Sequence, residues 1–177
     1  MAAPGHINTI DKRLFSYIWG VSRKRGRVYR TSVLIAKISR PFYIAAYAGG
    51  VFFMLDKIAR LPAYVLVPAA CMAASYMLRG ALKQPRPYNS FDSGSGFLNL
   101  PRPKSYSCPS NHSASSAVIA ATCTWVYFPL GMVLFVLCLP TGLCRICAGL
   151  HYPADIAAGW ALGLIFGAAF LFFMIWG

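Results

Sequence analysis

Residues 156–177 read IAAGWALGLIFGAAFLFFMIWG, without one charged side chain. A hydrocarbon core is about 30 Å thick, and a helix needs about 20 mostly apolar residues to cross it. A second stretch, 105–144, is also free of formal charge. Around these two runs the whole composition leans the same way. Hydrophobic residues make up 58% and charged residues 12%, against about 25% charged in an average soluble domain. That excludes a disordered chain and argues against a soluble globule. The expected fold is all-α, an integral membrane helical bundle.

Working outward, five spans are expected, near 41–55, 61–78, 112–128, 132–146 and 153–176, with four or six as alternatives. A polar loop rich in Pro, Gly, Ser and Asn fills 79–112. Gly159, Gly163 and Gly167 recur every four residues on the last span. Small residues at that spacing let helices approach closely in lipid.

The charge sits at the other end of the chain. Residues 1–40 hold nine of the 17 cations and one Asp, within a net charge of +13. Ile7, Ile10, Leu14, Phe15 and Ile18 fall at helical spacing with Asp11, Lys12 and Arg13 between them. Such a helix is too short and too charged to span, and it suits the interface. A basic turn, Arg23-Lys24-Arg25-Gly26-Arg27, and a second amphipathic stretch, 28–39, follow. Residues 1–40 thus read as a basic amphipathic interfacial segment, and 41–177 as the transmembrane domain. Because the basic cluster adjoins apolar spans, anionic lipid headgroups are the expected partner, not nucleic acid. The first ten residues lack the basic start and apolar run of a secretory signal.

Polar groups within a membrane protein are functional hypotheses by default. Here they form three clusters: Arg79-x6-Arg86-Pro87 with Lys83 between, Pro109-Ser110-Asn111-His112, and Arg145-x5-His151-x3-Asp155. The second span ends at Arg79 and the third begins at His112. One span runs down and one returns before Arg145 and Asp155. All three clusters therefore share a membrane face. Guanidinium groups match phosphate oxygens bidentately, and a helix start at Ser110–His112 adds backbone N–H groups for an anion. Two His suit a nucleophile oriented by a carboxylate and a general acid for the leaving oxygen. His151 and Asp155, four apart across a helix start, suit the first pairing.

These clusters resemble the signature of the type 2 phosphatidic acid phosphatases, a superfamily shared with bacterial acid phosphatases and vanadium haloperoxidases. The family pattern is Lys-x6-Arg-Pro, Pro-Ser-Gly-His and Ser-Arg-x5-His-x3-Asp. The resemblance implies metal-free hydrolysis of a lipid phosphate or diphosphate through a phosphohistidine, with no cofactor. By position it implies that His151 is the nucleophile, Asp155 its partner and His112 the acid. Arg79, Arg86, Ser110, Asn111 through its backbone N–H, and Arg145 would bind the phosphoryl oxygens. Lys83 would join them or meet headgroups. Arg79, Asn111 and Cys144 depart from the usual Lys, Gly and Ser. Asn is the least costly replacement for Gly if that position needs a positive φ.

The small size resembles compact bacterial members, which implies a bacterial cytoplasmic membrane and favours polyprenyl diphosphate or phosphatidylglycerophosphate as substrate. Family sites usually face away from the cytoplasm, whereas the positive-inside rule draws residues 12–40 inward. A phosphotransferase would carry the same residues, and an anionic-lipid binding protein would keep the arginines but not the His–Asp pair. Cys144-x2-Cys147-x3-His151 admits a zinc reading, although no second Cys pair follows and Arg145 interrupts it. With no Glu and four Asp, a carboxylate-rich metal cage is hard to build. His6 has no expected role, and Arg102 and Lys104 are expected to be solvated.

Overall fold

The computed structural model describes residues 8–90 and 105–176. The expectations for His6, Ile7, Arg102 and Lys104 lie outside the described residues. The elements are α1 (Thr9–Lys24), α2 (Gly26–Phe53), a 3-10 turn (Leu55–Arg60), α3 (Leu61–Leu82), α4 (Pro87–Ser90), α5 (Asn111–Val126), α6 (Phe128–Cys147) and α7 (Pro153–Trp176). No strand occurs among the described residues, as an all-α chain requires.

The bundle is built around α5. It packs against α2, α3, α6 and α7, and 11 of its 16 residues are buried. Its side chains are mostly Ser, Ala and Thr, small enough for four neighbours to come close. The glycine stripe of α7 meets it directly. A Cβ at Gly159 would fall 2.5 Å from the Ser110 carbonyl oxygen. At Gly163 it would collide with the Ala114 carbonyl, and at Gly167 with the Ala121 side chain.

Among the described residues, three segments are long and apolar enough to cross a membrane: Lys57–Asn89, Phe128–Cys147 and Pro153–Trp176. The two other expected spans correspond to α5 and to the second half of α2. α5 is short and only mildly apolar because its surroundings are protein, not lipid. α2 is one 28-residue helix with Pro41 inside it, and it runs on both sides of residue 40. A proline inside a helix leaves one carbonyl without its partner, which membrane helices tolerate.

α1 lies across the end of the bundle where α6 stops and α7 starts. Phe15 is fully buried and meets the Tyr152 ring edge-on at 5.3 Å between centroids. Ser22 Oγ donates to the Cys147 carbonyl at 3.4 Å. The Ala154 N–H donates to Asp11 Oδ1 at 3.0 Å, so a carboxylate from α1 satisfies one of the open amides at the start of α7. Burial holds the Asp11 carboxyl above its ordinary range, with that N–H opposing and the charge of Asp155 adding to the rise.

Candidate active site

α3 and α6 end, and α5 and α7 begin, at the end that α1 covers. The three sequence clusters therefore meet. Arg79 lies in the last turn of α3, Arg145 in the last turn of α6 and Asp155 in the first turn of α7. Ser110 caps α5, and His151 sits in the link between α6 and α7.

His151 is 1% exposed and Asp155 is fully buried. His151 Nδ1 faces Asp155 Oδ2 at 3.4 Å, a charge-pairing distance longer than a normal hydrogen bond. On the other side of the ring, Nε2 lies 3.3 Å from Arg86 Nη1. A guanidinium has no lone pair to offer, so Arg86 donates and Nε2 accepts. The proton then belongs on Nδ1, towards Asp155, and the lone pair on Nε2 points towards the arginines. Burial lowers the His151 imidazole to about 4; Asp155 opposes that shift, and the charges of Arg86 and Arg145 add to it. The ring is neutral at neutral pH.

Asp155 is held by two side chains that the sequence motifs did not single out. Gln84 Nε2 donates to Oδ1 at 3.0 Å, and Ser107 Oγ donates to Oδ2. The Tyr152 N–H also donates to Oδ2, at 2.8 Å. These three donors fix the carboxylate in direction. Gln84 lies inside the first motif and Ser107 three residues before Ser110, but neither spacing betrays a contact with α7.

The arginines are held by backbone carbonyls. Arg79 Nε donates to the Pro109 carbonyl at 2.7 Å. Arg86 donates to the carbonyls of Ser105 at 2.8 Å and Leu150 at 3.2 Å, and to Ser105 Oγ at 3.1 Å. Arg145 Nη2 donates to the Ala36 carbonyl at 3.0 Å. All three are buried, and Arg79 Nη2 is a buried donor with no hydrogen-bond partner among the described residues.

Ser110 is fully buried; its hydroxyl accepts from the N–H and hydroxyl of Ser113, and its own N–H donates to the Asp155 carbonyl at 2.9 Å. Its side chain therefore caps α5, and its remaining O–H is what it can offer a ligand. Asn111 opens the first turn of α5, and Lys83 alone among the described non-glycine residues has a positive φ, 48°. The condition attached to Asn111 is not met: it has no left-handed backbone to accommodate. Its Oδ1 accepts from Ser75 Oγ at 2.7 Å, which turns the amide towards α3. Lys83 caps α3, half-buried. Cys144, Cys147 and His151 do not form a ligand set: no three His, Cys or Asp side chains among the described residues converge to hold a metal.

A cavity of about 460 Å³ opens beside these groups, between α2, α3, α5 and α6. His112, Asn111, Arg145 and Arg40 line its polar part. Tyr43, Ile44, Tyr47, Val65, Pro68 and Met72 line its apolar part. Ile44 and Val65 are also exposed on the outer surface of the bundle, so the cavity reaches the face that lipid would touch.

The profile of the PAP2 superfamily matches residues 60–176, well over half of the chain. The protein belongs to the PAP2 superfamily. Among curated proteins, decaprenylphosphoryl-5-phosphoribose phosphatase from two strains of Mycobacterium tuberculosis (CDC 1551 / Oshkosh and ATCC 25618 / H37Rv) is 38% identical over 74 residues. That match spans 40% of this chain and 39% of each relative. Among solved structures, Aquifex aeolicus LpxE superimposes with a TM-score of 0.72 at 21% identity, covering 97% of this PAP2 chain and 99% of the other. A transmembrane PAP2-type phosphatidylglycerolphosphate phosphatase from Bacillus subtilis gives 0.69 at 20% identity, covering 96% and 88%. Both share the fold of this PAP2 protein, and the second is a transmembrane protein.

Proposed function

We propose that this PAP2 protein is a membrane phosphatase that hydrolyses a lipid phosphate or diphosphate. The observation that carries the reading is three buried guanidiniums gathered at one buried His–Asp pair, with Arg79 Nη2 left unpartnered. Buried cations in excess of carboxylates are costly, and a bound phosphate supplies the missing charge in the geometry guanidinium prefers. A neutral imidazole with its lone pair facing the same arginines is a ready nucleophile.

In this mechanism Arg79, Arg86, Arg145 and the Ser110 hydroxyl hold the phosphoryl oxygens, with the Asn111 N–H at the start of α5 and Lys83 at its edge. Phosphate displaces Arg86 from His151 Nε2. Nε2 forms a bond to phosphorus as the P–O bond to the lipid breaks, and His112 gives its proton to the leaving oxygen. Asp155 stabilises the imidazolium. His112 then takes a proton from water, whose oxygen attacks phosphorus and frees inorganic phosphate and His151. Charge built up on the phosphoryl oxygens meets donors already in place. The reading includes no metal and no cofactor.

The lateral cavity supports a substrate that arrives from the bilayer. Its volume lies within the range of small-molecule sites, and its apolar part suits the first segment of a lipid tail. Two substrates follow from the names of the relatives and the size of the chain: a polyprenyl-linked phosphate and phosphatidylglycerophosphate. We place the site on the outer face of a bacterial cytoplasmic membrane, with residues 1–40 on the adjoining headgroups.

The test is phosphate release by detergent-purified protein from each lipid, in excess EDTA, beside His151→Ala. Release that survives EDTA and vanishes in the variant supports the reading. Lipid binding without release points to a binding protein, or to a transferase that requires an acceptor lipid.

A further inference from the structure

The cavity holds one cation that no motif includes. Arg40, on α2, lines it together with His112 and Arg145. Among the described residues, no carboxylate lines the cavity. The charge of Arg40 acts on both His112 and Arg145, at an end already crowded with cations. A negative group that enters the cavity would meet Arg40 as well.

The side of the reaction that Arg40 faces follows from the mechanism. In a phosphoryl transfer the attacking and leaving atoms stand roughly in line, on opposite sides of phosphorus. His151, Arg79 and Arg86 are absent from the cavity lining, whereas His112, the donor to the leaving oxygen, is part of it. The transferred phosphoryl group therefore sits at the buried arginines, and the leaving group extends past His112 into the cavity. Arg40 stands beside the leaving group, not beside the group that is transferred.

Resting on the phosphatase reading above, we propose that Arg40 recognises a second negative charge carried by the leaving group. The substrates favoured are lipid phosphates whose leaving group is itself anionic. In a lipid diphosphate that group is a lipid monophosphate. In a phosphomonoester built on a phosphodiester-linked headgroup it is the phosphodiester. When the P–O bond breaks, the leaving oxygen keeps the electron pair, His112 supplies the proton, and Arg40 screens the charge that departs. A phosphate ester of a neutral diacylglycerol gains nothing from this contact.

Dioleoyl phosphatidylglycerophosphate and dioleoyl phosphatidic acid make a matched pair, with identical tails and leaving groups that differ in charge. Their kcat/KM values would be compared in wild type, Arg40→Gln, Arg40→Lys and His151→Ala, with vanadate inhibition measured in each. The expected result is a wild-type preference for phosphatidylglycerophosphate that falls about 10- to 100-fold in Arg40→Gln, the weight of a charge-assisted contact. Arg40→Lys should restore part of it. Vanadate inhibition should shift little, because vanadate takes the place of the transferred group; a merely structural role would move it as well. An equal loss on both substrates, or an unchanged ratio, overturns the role of Arg40 and leaves the phosphatase intact. Release from neither lipid by wild type overturns the phosphatase reading and this inference with it.

Discussion

At the scale of single residues, the site is a neutral histidine between a carboxylate and a guanidinium. Because burial lowers His151 to about 4, the lone pair on Nε2 is available at neutral pH and is lost only as pH falls through that value. A profile of kcat/KM, corrected for ionisation of the phosphate near about pH 6, should show an acid limb near 4. A limb at 6.5, the ordinary imidazole value, would mean that the ring is solvated. Stability follows the same proton. The unfolded chain takes it up at the ordinary value and the folded chain does not, so stability should fall as pH drops from 6.5 towards 4. Ser107→Ala removes a donor to a buried carboxylate. It should cost about 1–3 kcal/mol, read as earlier thermal inactivation in detergent, and lower kcat more than it raises KM. His151, Asp155 and the three arginines were legible because their spacing repeats a known signature. Gln84 and Ser107 were not, because their bonds to Asp155 join residues 71 and 48 positions apart. No local pattern records such a contact.

At the scale of elements, the seam between α5 and α7 decides whether the site holds its shape. Ser110 sits at its top, and its N–H is fixed to the Asp155 carbonyl across the seam. Gly163→Ala pushes a methyl group into the Ala114 carbonyl and should cost about 1–3 kcal/mol by overpacking. Gly20, on α1, has nothing within 4 Å of an added Cβ. Gly20→Ala should be neutral or stabilising by up to about 1 kcal/mol. Thermal inactivation of the two variants side by side checks the contrast. The stripe was visible in the sequence because its four-residue period belongs to one helix. The course of α2 was not. Pro41 follows four cations in four helical turns, which resembles a boundary, yet the helix runs on through it, packed against α5 and α6. α5 is also less apolar than α6 and α7, since a helix enclosed by other helices has no need to be as apolar as lipid.

At the scale of the whole molecule, the basic helix and the candidate site share one end. The exposed cations of α1 include Arg13, Arg23 and Lys24. The positive-inside rule pulls this end towards the cytoplasm, and the family habit puts it outside. In a Cys-free background, Tyr106→Cys, exposed between Ser105 and Ser107, should react with an impermeant thiol reagent in intact cells, while Ile58→Cys, in the turn at the opposite end, should not. The reverse labelling would put the site inside. Class and motif placement were legible from uncharged runs and span parity. The docking of α1 was not, because Asp11 reads as one polar position on an amphipathic helix. Its bond to Ala154 spans 143 residues, and that has a consequence for biosynthesis. α1 leaves the ribosome well before α7, so its carboxylate must wait for the 143 residues between them. A nascent fragment that lacks residues 151–155 cannot bring His151 and Asp155 under this helix.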